Sequence, residues 1–307
     1  MATSGLETGR VLLTGCTGEI GSRVAKQLCD LGYQVYGLRG AKNCTVNRPN
    51  HSCKKINLLS DSLEFEFSEM LPEILVHTAW LTTPGEFWES NQNKSWINVS
   101  KRLINEFVRI GGKYIVVTGS CAEYGWNLRE PFHENSLENP ASIYGQAKLE
   151  LLNWLRDQNY SYLWVRTFFQ FGMNESKGRL IPSMIDSLIE EKEFVIRSGA
   201  DIRDFIFIED AASVLTSLIS KKETGLVNLG TGIETKVASL ANAIGELFGR
   251  SDLIKFESKT DNRSYVVSDP TKLNEIIPSF EWSSLNVALK KTIEARKNDS
   301  LTHLFYD

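Results

Sequence analysis

The segment Thr14-Gly15-Cys16-Thr17-Gly18-Glu19-Ile20-Gly21 constrains this chain more than any other. It follows an apolar run at 10–13 and leads into Ile20, Val24, Leu28 and Leu31, which recur at helical spacing. Glycines three apart, between an apolar strand and an amphipathic helix, mark a tight β–α turn. Gly15 suits the turn itself, Gly18 a close approach by a pyrophosphate, and Gly21 close packing of helix on sheet. The helix start offers unpaired N–H groups and a partial positive charge to phosphate. Glycine spacing alone also fits a bare β–α turn; the placement at the head of a strand–helix alternation favours a dinucleotide site.

That alternation continues. Residues 34–38, 74–77, 114–118 and 162–166 are short apolar runs that predict buried strands. Trp96, Val99, Leu103, Phe107 and Ile110 predict an intervening helix, and 142–157 another. The expected class is α/β: a Rossmann-type doubly wound parallel sheet covered on both faces. Residues 10–169 form the expected dinucleotide-binding domain. After Phe169 the rhythm changes, with Gly, Pro and Arg punctuating the chain. Residues 170–300 are therefore read mainly as a smaller, interleaved substrate-binding region, with segments near 204–232 returning to the Rossmann domain.

Of the 307 residues 42% are hydrophobic and 23% charged, enough for a large core. A formal charge of −4 gives no basic footprint for nucleic acid or membrane. The N-terminal residues have no apolar run of a signal peptide, and no stretch reaches transmembrane length, so a cytoplasmic protein is expected. The sequon at Asn43 then reads as a chance match. Five cysteines, odd in number and without paired spacing, and four scattered histidines give no expectation of a metal; reduced thiols are expected instead.

The second strand ends Val35-Tyr36-Gly37-Leu38-Arg39. An acid there would bind the adenosine ribose and repel a 2′-phosphate. Arg39 can pair with that phosphate instead, which favours NADP(H) and leaves NAD(H) as the alternative, unless Arg39 is a plain surface charge. Tyr144 and Lys148 stand at i and i+4, on one face of a helix. An ammonium and a nicotinamide cation near the phenol should lower its pKa, making Tyr144 a proton donor or acceptor. Lys148 can also hold the ribose. Ser120 follows the strand at 114–118, at the carboxyl end where such sheets bind ligands, and can orient a substrate oxygen.

An ordered set of further segments resembles the extended short-chain dehydrogenase/reductase family of nucleotide-sugar epimerases, dehydratases and reductases. Thr14 to Gly21 resembles its TGxxGxxG, Val76-His77-Thr78-Ala79 its strand-end HxA, and Asn98 its helix asparagine. Ser120-Cys121-Ala122-Glu123-Tyr124-Gly125 resembles SxxxYG, and Asn139-Pro140-Ala141-Ser142-Ile143-Tyr144 the lead-in to the catalytic tyrosine. Residues 203–210 are similar to RDFxxxxD, 227–232 to xNxGTG, and Asp269-Pro270-Thr271-Lys272 to DxSK. The resemblance implies that Ser120, Tyr144 and Lys148 are catalytic. It also implies that Gly15, Thr17, Gly18, Glu19, Ile20, Gly21, Arg39, Asn57, Leu58, His77, Ala79 and Asn98 hold the cofactor with Tyr144 and Lys148. Arg203 and Arg263 are expected at a nucleotide-sugar diphosphate. Cys121, Glu123, Phe169 and Arg179 complete the expected substrate contacts; for Glu123 the alternative is a solvated or capping group, the commoner fate of a strand-end Glu.

Departures from the family narrow the chemistry. Cys121 and Ala122 stand where the sugar 4,6-dehydratases carry an Asp-Glu pair. Phe169 stands where many epimerases carry a substrate-contacting Asn. The expectation is reduction of the 4-keto group of a nucleotide-activated 4-keto-6-deoxy-hexose by NADPH. The rivals are a 4-epimerase with tightly held NAD, and a non-catalytic NADP-sensing regulator. His77 and His133 are read as packing or surface groups rather than bases, and the tryptophans at 80–96 as sugar-site lining or core. The apolar stripes around 96–110 and 144–155 resemble the family's homodimer seam, unless they face the sheet.

Overall fold

The structure, a computed structural model, describes residues 9–60, 70–126, 129–257 and 264–304. Seven parallel strands form the central sheet: β1 (Arg10–Thr14), β2 (Gln34–Arg39), β3 (His51–Lys55), β4 (Ile74–His77), β5 (Tyr114–Ser120), β6 (Tyr162–Thr167) and β7 (Gly225–Leu229). Their spatial order is β7-β6-β5-β4-β1-β2-β3. β4 and β5 are buried at every position, which is why they read as continuous apolar runs. The chain runs outwards from β1 to β3, then crosses back over β1 to β4. Such a reversal opens a crevice at the carboxyl ends of β1 and β4.

Six helices matter for the site: α1 (Glu19–Asp30), α2 (Gln92–Arg109), α3 (Ile143–Arg156), α4 (Leu180–Ile189), α5 (Ile208–Ser220) and α6 (Val237–Phe248). α1 and α5 cover one face, with Val24, Leu28, Ala211 and Leu215 in one cluster with Val11 and Leu13. α2 and α3 cover the other, where Leu103, Phe107, Leu151 and Leu155 pack with Leu12 and Leu75. Neighbouring Leu12 and Leu13 thus serve opposite faces, as the strand period demands. α5 is tied to α1 by Arg23–Glu209 (2.6 Å) and Gln27–Ser213 (3.2 Å). With β7 in the sheet, residues 208–229 lie in the first lobe.

The second lobe centres on Met184 and Ile185 of α4, Leu240 and Ile244 of α6, and Leu289 of the helix Leu285–Leu304. Short strand pairs link it to the sheet side: Phe169–Phe171 lies parallel to Phe205–Phe207, and Ile202–Arg203 sits between Thr235–Lys236 and Tyr265–Val266.

β3 and the short strands of the second lobe depart from the sequence expectation. β3, His-Ser-Cys-Lys-Lys, is a polar edge strand with no apolar alternation to betray it. The short pairs of the second lobe are also strands, although nothing periodic marks them. The stripes of α2 and α3 face inwards: Leu103, Ile104, Phe107, Leu151, Leu152 and Leu155 are fully buried within the single chain. Among the described residues no helix is long and apolar enough to cross a membrane.

Candidate functional site

Four connections converge above the carboxyl edge of the sheet: the glycine turn after β1, Thr78 to Trp80 after β4, Ser120 at the end of β5, and Phe168 to Phe171 after β6. With α3, α4 and the loop before α6 they enclose a cleft of about 450 Å³.

The glycine turn meets the requirements of a phosphate seat. Gly15 has φ +74°, and a Cβ there would stand 2.9 Å from the Ala79 nitrogen. A Cβ on Gly21 would stand 2.2 Å from the Gly15 carbonyl oxygen, an impossible contact. Gly18 caps α1 without a side-chain hydrogen bond, so the first N–H groups of α1 stay available to an anion. Thr17 is half-buried beside it, and Ile20 reaches the cleft wall. Glu19 is turned back onto Arg23 (3.3 Å). These residues fit a dinucleotide pyrophosphate.

Ser120, Tyr144 and Lys148 all line the cleft. The Ser120 hydroxyl oxygen accepts from the Ala122 N–H (3.2 Å), which leaves its proton free to point elsewhere. Tyr144 is held by the edges of Phe87 (5.0 Å) and Trp88 (5.6 Å). Lys148 donates to the Thr118 carbonyl (2.9 Å) and lies 3.8 Å from the Trp80 ring centroid. Burial depresses the Lys148 ammonium to about 7, partly offset by Glu123. Burial also pushes the Tyr144 phenol above its usual range, opposed by the Ser120 hydroxyl. The expected fall in the Tyr144 pKa is therefore not produced by the protein's own groups, because the desolvation outweighs them.

Glu123 does not reach the cleft. It is fully buried and accepts from the Ser120 N–H (2.7 Å), from Trp164 Nε1 (3.0 Å) and from Arg166 Nε (2.7 Å). Arg166 bridges on to Glu138 and lies 4.3 Å from the Tyr124 ring centroid. Glu123 thus fixes the turn that presents Ser120. It caps, as the alternative reading held, with its carboxylate turned away from the cleft.

Cys121, Phe169, Arg179 and Arg203 do line the cleft. Arg203 pairs with Asp201 (2.8 Å) and sits 5.2 Å from the Phe169 ring and 5.3 Å from that of Trp126. Its neighbour Asp204 is buried and accepts from Thr231, Gly232 and Ser268. Two of the sequence segments quoted above, 203–210 and 227–232, therefore meet at one carboxylate, joined there by Ser268 just before a third. Trp80, Phe87 and Trp88 also line the cleft. Arg263 lies outside the described residues.

The other residues expected at the cofactor take varied positions. Asn98 is exposed on α2, because Asn93, Ile97, Ser100 and Ile104 take the inward face. Asn93 accepts from Trp80 Nε1 (2.9 Å) and positions that ring under Lys148. The His77 side chain is buried between Thr14 (2.7 Å) and Ser100 (2.8 Å). Ser100 donates to the Trp96 carbonyl, so His77 Nε2 donates to Ser100 and Nδ1 accepts from Thr14. Burial holds the ring neutral, with its pKa lowered to about 3. Ala79 donates its N–H to Thr14 (3.3 Å) and closes the glycine turn from above. Asn57 is exposed and accepts from the Leu59 N–H, while Leu58 packs in the core under α2. Arg39 lies at the rim, donating to the Gly40 (3.3 Å) and Lys42 (3.1 Å) carbonyls.

Glu175 was not anticipated. It comes from the polar stretch Asn174-Glu175-Ser176, which looks like a solvated loop, yet it lines the cleft 4.0 Å from Arg179. Its Oε2 is buried without a partner, and burial raises the carboxyl from 4.5 to about 7 against the pull of Arg179. The fold therefore favours the neutral form. The stability this gives is full below about pH 4.5 and is lost as pH rises through about 7. Glu175→Gln, always neutral, is expected to exceed the parent by about 2–3 kcal/mol at about pH 8, and to match it at about pH 4. Urea unfolding at both pH values checks this; a difference independent of pH would contradict it.

Residues 11–230 match the NAD dependent epimerase/dehydratase family. The chain is 24% identical to UDP-glucose 4-epimerase of Bacillus subtilis (strain 168), over 92% of this chain and 99% of that one. It is 25% identical to dTDP-6-deoxy-L-talose 4-dehydrogenase (NAD(+)) of Aggregatibacter actinomycetemcomitans, over 79% of this chain and 91% of that one. UDP-N-acetylglucosamine 4-epimerase from Methanobrevibacter ruminantium M1, solved in complex with UDP-N-acetylmuramic acid, shares the fold. Its TM-score is 0.82 at 22% identity, over 96% of this chain and 100% of that one.

Proposed function

Because this chain belongs to the NAD dependent epimerase/dehydratase family, we propose that it reduces the 4-keto group of a nucleotide-activated 4-keto-6-deoxy-hexose, with NADPH as the hydride donor. The observation that carries this reading is the convergence of Ser120, Tyr144 and Lys148 on a cleft that Arg179 and Arg203 also line. The reduced dinucleotide, when bound, supplies the hydride. Tyr144, kept protonated by burial, gives its proton to the carbonyl oxygen. Ser120, whose oxygen is already engaged by Ala122, turns its own proton to that oxygen. Lys148, steadied by Thr118 and Trp80, holds the nicotinamide ribose. Arg203 and Arg179 meet the sugar diphosphate, for which guanidinium forks are suited.

Two features support reduction over the family's other reactions. Dehydration needs an acid–base pair beside Ser120; that position holds Cys121 and Ala122, and the next acid, Glu123, is locked to Arg166. The end of β2 is cationic, with Arg39 in register with Lys55 and Lys42 close by, and 36–42 contains no acid. This favours a 2′-phosphate. Arg39→Ala is expected to weaken NADPH binding by about tenfold or more, and NADH binding by less than about twofold. Fluorescence titration of both dinucleotides checks it, and equal losses would remove the argument for NADP.

A second reading, 4-epimerisation of a nucleotide-sugar with retained NAD, draws on the near full-length similarity to the Bacillus subtilis enzyme. It predicts a dinucleotide that co-purifies and no net consumption of added NADPH. Assay of purified protein against a panel of 4-keto nucleotide-sugars, with products identified by NMR, separates the two. NADPH oxidation with formation of a new C4 alcohol supports reduction; no oxidation with any member would sink it.

A further inference from the structure

Beside the glycine turn, towards the β3 edge of the sheet, the fold gathers three thiols that lie far apart in sequence. Cys16 belongs to the turn, Cys44 to the segment after β2, and Cys53 to β3. Their sulfurs all lie within 4.8 Å of one another, with Cys16 and Cys53 at 3.3 Å. Sulfurs bound at about 2.3 Å to one ion stand about 3.8–4.0 Å apart, so the cluster already has the size of a metal site.

The sheet makes room for it. β2 lies between β1 and β3, and Gly37 of β2 pairs with both Leu13 and Cys53. A Cβ at Gly37 would stand 2.7 Å from Cys16 Sγ and 3.0 Å from His51 Nε2. The missing side chain is the space in which Cys16 and His51 approach each other over β2. His51 Nδ1 lies 4.0 Å from Cys44 Sγ, and its Nε2 is buried with no hydrogen-bond partner, although His51 is not among the donors that lie within 4.8 Å of one another. Cys16 is fully buried, whereas Cys44 and Cys53 are half-buried and leave a way in.

We propose that Cys16, Cys44 and Cys53 bind one thiophilic cation of the Zn²⁺ type, and that the adjacent His51 turns in as the fourth donor when the ion binds. Three sulfur donors and one imidazole make the Cys₃His set of closed, structural zinc sites, and they select against hard cations such as Mg²⁺ and Ca²⁺. Cysteine ligates as the thiolate, so binding releases protons and tightens with rising pH. An ion here would tie the phosphate-binding turn to β3 and to the segment following Arg39. The site is independent of the reaction proposed above.

The test uses the full chain, reduced and stripped with a chelator, then titrated with Co²⁺ as an optical probe and with Zn²⁺ in competition. One equivalent of Co²⁺ per chain is expected, with tetrahedral d–d bands and a charge-transfer intensity corresponding to three thiolates; Zn²⁺ should displace it. Cys44→Ser and Cys53→Ser should each weaken Zn²⁺ binding by about 100-fold or more, and His51→Ala by about 10-fold or more. Cys29→Ser, whose thiol lies outside the group, should retain it. A Co²⁺ spectrum with fewer than three thiolates, or Zn²⁺ affinity unchanged in Cys44→Ser and Cys53→Ser, overturns the proposal. So does a thiol titration of unreduced, denatured protein that finds three free cysteines, since a Cys16–Cys53 disulfide would then occupy the place. If the variants fail to fold, the wild-type Co²⁺ spectrum decides alone.

Discussion

Tyr144→Phe is expected to lower kcat by roughly a thousandfold, about 4 kcal/mol of transition-state stabilisation, while leaving the fold and the dinucleotide affinity nearly unchanged. The separation rests on what each part of the side chain does. The ring packs against Phe87 and Trp88, contacts that phenylalanine keeps. In the proposed reaction the hydroxyl is the proton source for the reacting oxygen. Its loss should therefore appear in kcat far more than in KM, because the interaction is made chiefly in the transition state. Steady-state kinetics with thermal melting of both proteins checks this. A variant with normal turnover would remove Tyr144 from the chemistry, and would favour a regulator that binds the dinucleotide without turning it over.

The largest stability effect is expected at Arg166. Arg166→Met should destabilise the chain by about 3–5 kcal/mol, because it strands the fully buried Glu123 carboxylate. Glu123 would keep the N–H of Ser120 and the indole of Trp164 as donors, but lose its only paired charge among the described residues. The double variant Arg166→Met with Glu123→Gln should recover a large part of the loss, since the stranded charge is then gone. Urea denaturation of the two single variants and the double variant completes the cycle. Additive losses would mean that the pair is not coupled. Glu123→Gln alone separates its two readings: a positioning residue lowers stability and kcat together, whereas a substrate contact would raise KM in an undisturbed fold.

The parts of the fold legible in the sequence were those where burial leaves a pattern. β1, β4, β5 and β6 lie inside the sheet, so each reads as a short apolar run between turn signals. β3 lies at the edge, half-exposed and polar, and leaves no such trace. The cleft was legible through its turns. Gly15 and Gly21 are demanded by backbone contacts, and the spacing of Tyr144 and Lys148 by one helix face. What the sequence hid was the direction of side chains and the meeting of distant segments. Asn98 and Asn93 lie on the same helix, but only packing decides which faces the core. Glu123 looked like a strand-end acid until Arg166, forty-three positions on, claimed it. Glu175 and the thiols of Cys16, Cys44 and Cys53 come together through long-range topology that no local period reports.

The central claim is that hydride passes from NADPH to C4 of a nucleotide-bound sugar in this cleft. Its most direct test is to supply NADPH deuterated at the transferring position together with a 4-keto-6-deoxy nucleotide-sugar, and to locate the label by NMR. The account predicts one deuterium at C4 of the product, in equal amount to the NADP⁺ formed, and its loss in Tyr144→Phe. Product whose C4 carries only protium, or a nucleotide-sugar inverted at C4 with the added NADPH intact, would contradict it.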